Sequence, residues 1–299
     1  MRIAAVVTAY HPDERLEAVV AAALESCDDV LVVDNTPADA PSAADAAAGA
    51  LGDHRVRILR SGRNAGLGGA LNTGLAELPD STEAVLLLDQ DSILTKEVVL
   101  GLAKHLADDP TVGVASPAPW DEASDSHYES LSGARYGEVS DRDAVITSGM
   151  LIRRSCFEKV PGFRESFFID YVDLDFCLRL RRAGVRIIQD KSLKLPHSIG
   201  DRRAHRVGPL TVPVIHYPAW RHYWIARNGT ILIRENRRTL KAWSFRTLLY
   251  LVRWVTVTAL FEPKRGSCLR AFFQGFGDGR AKRVSSSYLP SGAEYTADF

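Results

Sequence analysis

The chain has 299 residues, 46% apolar and 25% charged, with 37 Lys/Arg against 37 Asp/Glu. This composition excludes disordered and fibrous chains and leaves an ordinary globular protein of one large or two modest domains, long enough to bury a sizeable core. The zero net charge conceals an asymmetry: residues 1–200 hold 20 basic against 31 acidic residues and residues 201–299 hold 17 against 6, about −11 followed by about +11. A basic C-terminal part of this kind is built to meet an anionic surface, nucleic acid or a membrane leaflet.

Met1-Arg2 leads directly into Ile3-Ala4-Ala5-Val6-Val7, too short for a signal-peptide core, which predicts a first strand ending at Thr8-Ala9-Tyr10. Asp13 is placed to cap a helix with Leu16, Val19, Val20 and Leu24 at helical spacing. Val30-Leu31-Val32-Val33 predicts a second strand closing on Asp34-Asn35, an Ala-rich helix follows, and residues 56–59 predict a third. The order strand, helix, strand, helix predicts a mainly parallel sheet with helices on both faces. Between the third strand and the next lies Arg63-Asn64-Ala65-Gly66-Leu67-Gly68-Gly69, whose glycines either allow close backbone approach to a ligand, with a helix start that offers N–H groups to an anion, or simply make a tight helix entry.

Ala84-Val85-Leu86-Leu87-Leu88 is a continuous apolar run, the signature of a strand buried on both faces, and it stops on Asp89-Gln90-Asp91-Ser92. In an extended segment Asp89 and Asp91 point the same way, and two carboxylates that close invite a hard divalent cation, Mg²⁺ or Mn²⁺. Residues 96–106 predict a helix and 113–115 a strand. Residues 117–143 read as a long polar loop that covers the site or contacts an acceptor, and residues 144–152 as a strand broken at Ser148-Gly149. Asp170, Asp173 and Asp175 crowd the start of a helix ending at Gly184, more carboxylates than capping needs. Four scattered cysteines without metal-like spacing predict reduced thiols and a cytoplasmic protein.

Past residue 200 the segment 217–228 mixes aromatics with arginines, a candidate sugar-docking face. Residues 245–261 are apolar but carry Arg246 and Arg253, so they fall short of a membrane span. With Trp243 and Trp254 they predict a helix lying on anionic lipid at the inner face of the membrane, or else packed on the domain or on a second subunit of a homo-oligomer. No nucleic-acid-binding module accompanies the basic residues, so nucleic acid is set aside as a partner. The tail from Ser285 has the composition of a disordered segment.

Taken in order, Thr8-Ala9-Tyr10, Val33-Asp34-Asn35, Asn64-Ala65-Gly66 with Asn72-Thr73-Gly74, Asp89-Gln90-Asp91-Ser92, Thr147-Ser148-Gly149 and Asp173-Leu174-Asp175-Phe176 resemble the family 2 glycosyltransferases of the GT-A fold, the bacterial rhamnosyltransferase branch in particular. The resemblance implies a Rossmann-like α/β catalytic domain over residues 1–205, a helical basic extension over 206–284, and a tail over 285–299. It implies that Asp34 holds the nucleobase beside Thr8 and Tyr10, and that Arg63, Asn64 and Gly68 lie against the nucleotide. Asp89 would meet ribose or metal, Asp91 would hold Mg²⁺ or Mn²⁺, and His197 would be a third ligand. Asp173 matches the catalytic base, with Val172 standing where the family carries an acid and Asp170 as a substitute. The donor implied is a nucleotide-sugar, dTDP-L-rhamnose, and the acceptor a cell-surface or lipid-linked glycan. Three other readings stay open here: a transferase of the same fold using a UDP-sugar donor, a haloacid-dehalogenase-like phosphatase using the Asp-x-Asp, and a sugar-nucleotide-binding protein without turnover.

Overall fold

The computed structural model describes residues 1–121, 126–127, 138–196, 201–207, 210–290, 292, 293 and 295. The chain begins with β1 (Ile3–Ala9), α1 (Arg15–Leu24), β2 (Asp29–Asp34), α2 (Ala44–Leu51), β3 (Val56–Arg60), α3 (Gly66–Ala76), β4 (Ala84–Asp89) and α4 (Lys96–Asp108). It continues with β5 (Val112–Asp121), β6 (Ser126–His127), β7 (Val139–Asp141), β8 (Met150–Arg153), α5 (Cys156–Lys159), α6 (Val172–Arg182) and β9 (Arg186–Pro196). The hairpin β10 (Asp201–Val207) and β11 (Leu210–His216) leads into α7 (Ala219–Asn236), α8 (Lys241–Phe261) and α9 (Arg265–Ala281).

The main sheet runs β3-β2-β1-β4-β8-β5-β9-β7, with β6 paired to β5. Strands β3, β2, β1 and β4 are parallel, as the sequence predicts. The second half is mixed: β8 runs antiparallel to both β4 and β5, whereas β5 and β9 are parallel. The predicted strand over residues 144–152 shrinks to β8, because Gly149 adopts φ +79° in the turn that precedes it. The strands alternate as a doubly covered sheet requires. Val6, Leu31 and Leu87 face one core, while Val7, Val32 and Leu86 face the other, all fully buried. Truncating any of the leucines to alanine removes about 2–5 kcal/mol.

Register places the functional edge. Thr8 stands opposite Val33 on one side and Asp89 on the other, so β1, β2 and β4 release their polar turns along one line at the carboxyl ends of the strands. The C-terminal helices close over that edge. α9 lies so near α7 that a Cβ at Gly275 would sit 2.2 Å from the Tyr223 carbonyl and one at Gly279 2.5 Å from that of Arg227.

The boundary placed at 205/206 falls inside β10, so the extension opens with a β-hairpin before its helices. The tail expected to be disordered is packed over its described part. Trp224 donates to the Tyr288 carbonyl at 3.0 Å, Tyr288 stacks on Tyr223, and the Tyr295 hydroxyl donates to the Ser166 carbonyl at 3.2 Å. The aromatic residues Tyr288 and Tyr295 supply the apolar area that a reading of Ser, Pro and Gly content overlooks. The four cysteines are free and buried. Most of the polar loop before Asp143 lies outside the described residues.

Candidate active site

A cleft of about 1060 Å³ opens at this edge, walled at one end by Thr8, Tyr10, Asn35 and Asn64 and floored by Asp89 and Asp173. Its other end is made by the C-terminal part, with Tyr217, Trp220, Arg221, Tyr250 and Trp254. A volume of this order is that of a small-molecule site.

Among the residues predicted from sequence, Thr8, Tyr10, Asn64, Asp89 and Asp173 come together in the cleft wall. Asp34, Arg63, Gly68 and Asp91 do not line it. Asp34 is fully buried, accepts from the Thr36 N–H at 3.0 Å and pairs with Arg60 at 3.3 Å. Its neighbour Asn35 reaches the wall instead. It is held there by donating to Asn64 Oδ1 at 2.9 Å and to the Gly66 carbonyl at 3.1 Å. Gly68 serves packing: a Cβ there would lie 2.8 Å from the Arg164 carbonyl, so the glycine seats α3 on the 164–168 segment. At the N-terminus of α3 two of the N–H groups are already taken: that of Gly66 donates to Asn64 Oδ1 at 3.0 Å and that of Leu67 to the Phe168 carbonyl at 2.7 Å. His197 lies outside the described residues.

β4 ends at Asp89, and Gln90-Asp91 form a turn, so strand alternation does not carry to Asp91. The two carboxylates nevertheless feel each other. Burial, reinforced by the charge of Asp91, pushes the Asp89 carboxyl up to about 6. Asp91 is more exposed and has Arg15 at 3.5 Å. Hard oxygen donors under mutual repulsion fit a divalent cation. Among the described residues no group of three or more His, Cys, Asp or Glu is close enough to enclose one.

The segment before α6 is held in costly conformations: Phe168, Asp170 and Tyr171 all have positive φ (54°, 60° and 67°). Buried Asn228 of α7 offsets that cost, its amide donating to the carbonyls of Phe167, Ile169 and Asp170, each at 2.9 Å. Beside it, Arg227 donates to the Ser166 carbonyl at 2.9 Å. These contacts set the entry of α6 and with it Asp173. Asn228→Ala is therefore expected to cost about 2–4 kcal/mol in urea unfolding, at about 1 kcal/mol per hydrogen bond plus the buried acceptors left behind. Turnover should fall more than apparent substrate affinity, as steady-state kinetics would show.

The three aspartates of this region differ. Asp170 is gripped in a fork by Arg221 at 3.0–3.2 Å. Asp175 is buried and paired with Arg179 at 2.7 Å and Arg164 at 3.0 Å, and Arg164 joins Glu235 of α7. Asp173 accepts from the Leu174 N–H at 2.7 Å and has no ion-pair partner among the described residues. Burial, with the charges of Asp170 and Asp89 behind it, pushes its carboxyl up to about 7. A cleft carboxyl titrating near neutrality is suited to accept a proton there.

Comparison with known proteins fits this geometry. The model of the family "Glycosyl transferase family 2" matches residues 4–172, more than half of the chain. The chain belongs to the family 2 glycosyltransferases. The phosphatase reading of the Asp-x-Asp is thereby set aside. A dTDP-rhamnosyl transferase, RfbF, of Shigella flexneri is 29% identical over 253 residues, 78% of this chain and 80% of that protein. The low-salt glycan biosynthesis hexosyltransferase Agl10 of Haloferax volcanii is 25% identical over 70% of this chain and 71% of its own. Among solved structures, the mannosyltransferase PcManGT from Pyrobaculum calidifontis, in complex with GDP-Man and Mn²⁺, superposes with a TM-score of 0.56 at 16% identity. That match covers 93% of this chain and 87% of that one. TarS of S. aureus gives 0.60 at 14% identity, covering 97% and 50%. These likenesses establish the GT-A fold.

Asn35 and Gln90, in turns expected from sequence to line one crevice, and Arg221 also line the cleft, although sequence reasoning assigned none of the three a role of its own. Arg221 lay inside the 217–228 segment singled out for sugar docking, and that segment divides. Tyr217, Trp220 and Arg221 reach the cleft, whereas Tyr223, Trp224, Arg227 and Asn228 are buried supports.

Proposed function

We propose that this enzyme is an inverting, metal-dependent glycosyltransferase that moves L-rhamnose from dTDP-L-rhamnose to a cell-surface glycan or its lipid-linked precursor on the cytoplasmic side of the membrane. The observation that carries the reading is Asp173, an acid without an ion-pair partner among the described residues, which shares the cleft floor with Asp89 at the end of β4. The 29% identity to a dTDP-rhamnosyl transferase favours that donor.

In this reading the nucleoside lies against Thr8, Tyr10, Asn35 and Asn64, and the sugar extends over Asp89 toward the aromatic end. Asp89 and Asp91 would hold Mg²⁺ or Mn²⁺, which when bound supplies Lewis-acid stabilisation of the negative charge gathering on the departing diphosphate. An acceptor hydroxyl is a poor nucleophile until a base removes its proton, and Asp173 takes that proton as the oxygen attacks from the face opposite the leaving group. Asp170 is the weaker candidate for base because Arg221 already occupies its oxygens. Trp220 and Tyr250, which line the cleft, would meet the acceptor sugars, whereas the Tyr217 ring is already stacked on Trp254 with Arg221 over it.

A thermal-shift panel of nucleotide-sugars with and without Mn²⁺ or Mg²⁺ tests this. dTDP-L-rhamnose with metal is expected to raise the midpoint by a few degrees at saturating concentration. The shift should disappear with chelator. A larger shift with a UDP- or GDP-sugar would overturn the donor, and none with any sugar nucleotide would overturn the site.

A further inference from the structure

Helix α8 has two apolar faces. Trp243, Thr247, Tyr250 and Trp254 point inward and line the cleft. On the opposite side Phe245, Leu248, Leu249 and Val252 recur at helical spacing and are 61%, 45%, 52% and 53% exposed, followed by Leu260 at 66%. The tryptophans expected to face lipid are thus committed to the protein interior, and the outward stripe is aliphatic and phenylalanine. α9, packed beside α8, exposes Phe273 and Phe276 as well. A contiguous apolar face on a soluble chain marks a surface that something covers.

The charges around it select the occupant. From Arg237 to Arg270 the sequence holds eight Lys/Arg and one acid, Glu262, which is buried between His216 and His222. The exposed charged residues of α8 and of the turn and helix start after it, Lys241, Arg246, Arg253, Lys264 and Arg265, are all basic, and of these Arg246 is paired with Asp143. Two copies meeting face to face would bring like charges together, since a two-fold contact presents the same patch on both sides. A surface offering both an apolar interior and fixed negative charge satisfies the stripe and these basic residues together. No described helix is long and apolar enough to cross a membrane, so α8 would lie in the interfacial plane.

We propose that the outer face of α8 docks on an anionic lipid bilayer, with the aromatic half of the cleft on the other side of the same helix. Resting on the glycosyltransferase reading above, this makes the acceptor one presented from the membrane, reaching the cleft around α8.

The test is cosedimentation of the full chain with phosphatidylcholine vesicles, with and without phosphatidylglycerol, at low and high salt. Phosphatidylglycerol is expected to raise affinity at least about tenfold, and high salt to reverse the gain. The triple variant Phe245→Glu, Leu249→Glu, Val252→Glu should bind roughly a hundredfold more weakly. It should keep the wild-type dTDP-induced thermal shift, which reports that it is folded. Arg253→Glu with Lys241→Glu leaves the apolar stripe intact and should lower binding to anionic vesicles alone. Equal binding to neutral and anionic vesicles, no vesicle binding, or a wild-type dimer that the triple variant converts to monomer would overturn the proposal. The last of these would assign the face to a second copy. Loss of the dTDP shift in the wild type would instead strike the donor reading and leave the vesicle result standing.

Discussion

Asp173→Asn is expected to lower turnover by about 10²–10⁴-fold while leaving the thermal shift by nucleotide-sugar and metal intact. Asparagine keeps the shape and the bond from the Leu174 N–H but cannot take a proton. The pH profile carries the signature. A base works deprotonated, so in the wild type the rate should climb with pH through about 7 and then level, and the variant should lack that limb. Stability moves the opposite way. The folded state raises this carboxyl from the ordinary value of 3.8, so it binds the proton more tightly than the unfolded chain does. Its contribution is full below the ordinary carboxylate range and is lost as pH rises to about 7. Above neutrality the buried charge should cost a few kcal/mol. Asp173→Asn should therefore melt higher than wild type at pH 8 and match it at low pH. A slower enzyme that is also more stable is what removal of a strained functional group produces; a variant both slow and unstable would point to a structural role. Retained activity would remove Asp173 as the base.

Local pattern carried far in this chain and stopped where distant contacts decide. The apolar run at 84–88 could hardly be anything but a central strand, and its polar terminus located the cleft edge because strand ends are fixed by the same residues that end the run. Whether Asp34 or its neighbour reaches the cleft was not legible, since one residue of register in a turn reverses the direction of a side chain. Arg60, which captures Asp34, comes from β3. Gly68 could be read from sequence either as close approach to a ligand or as a tight helix entry, and the demand it meets is the backbone at Arg164, some hundred residues along the chain. Trp243 and Trp254 read as interfacial anchors by composition; packing against the cleft and the core claimed them. The strained turn at 168–171 left no periodic trace, and the residues that sustain it, Arg227 and Asn228, belong to another helix. Sequence thus fixes which face of an element is apolar sooner than it fixes what that face meets.

Asp89→Ala should have the largest effect on donor binding. Asp89 is the last residue of a strand paired on both sides, so its carboxylate is held by the sheet rather than by a loop. A ligand placed on such a frame is preorganised, and losing it removes half of the carboxylate pair that would neutralise a diphosphate through a cation. Nucleotide-sugar affinity in the presence of Mn²⁺ is expected to fall by about 10–100-fold, while affinity measured in chelator should hardly change. The two measurements together separate metal recruitment from direct contact with the ribose: equal losses with and without metal would assign Asp89 to the sugar instead. Asp91→Ala should show a smaller version of the same pattern, because its carboxylate is exposed and shared with Arg15. The alanine at 89 also relieves repulsion. Without an ion, burial and then the charge of Asp91 hold the wild-type Asp89 carboxyl up at about 6. The variant should therefore melt no lower than wild type in chelator and lower than wild type once Mn²⁺ and nucleotide are added. That crossing of two melting curves is a result that simple loss of folding would not give.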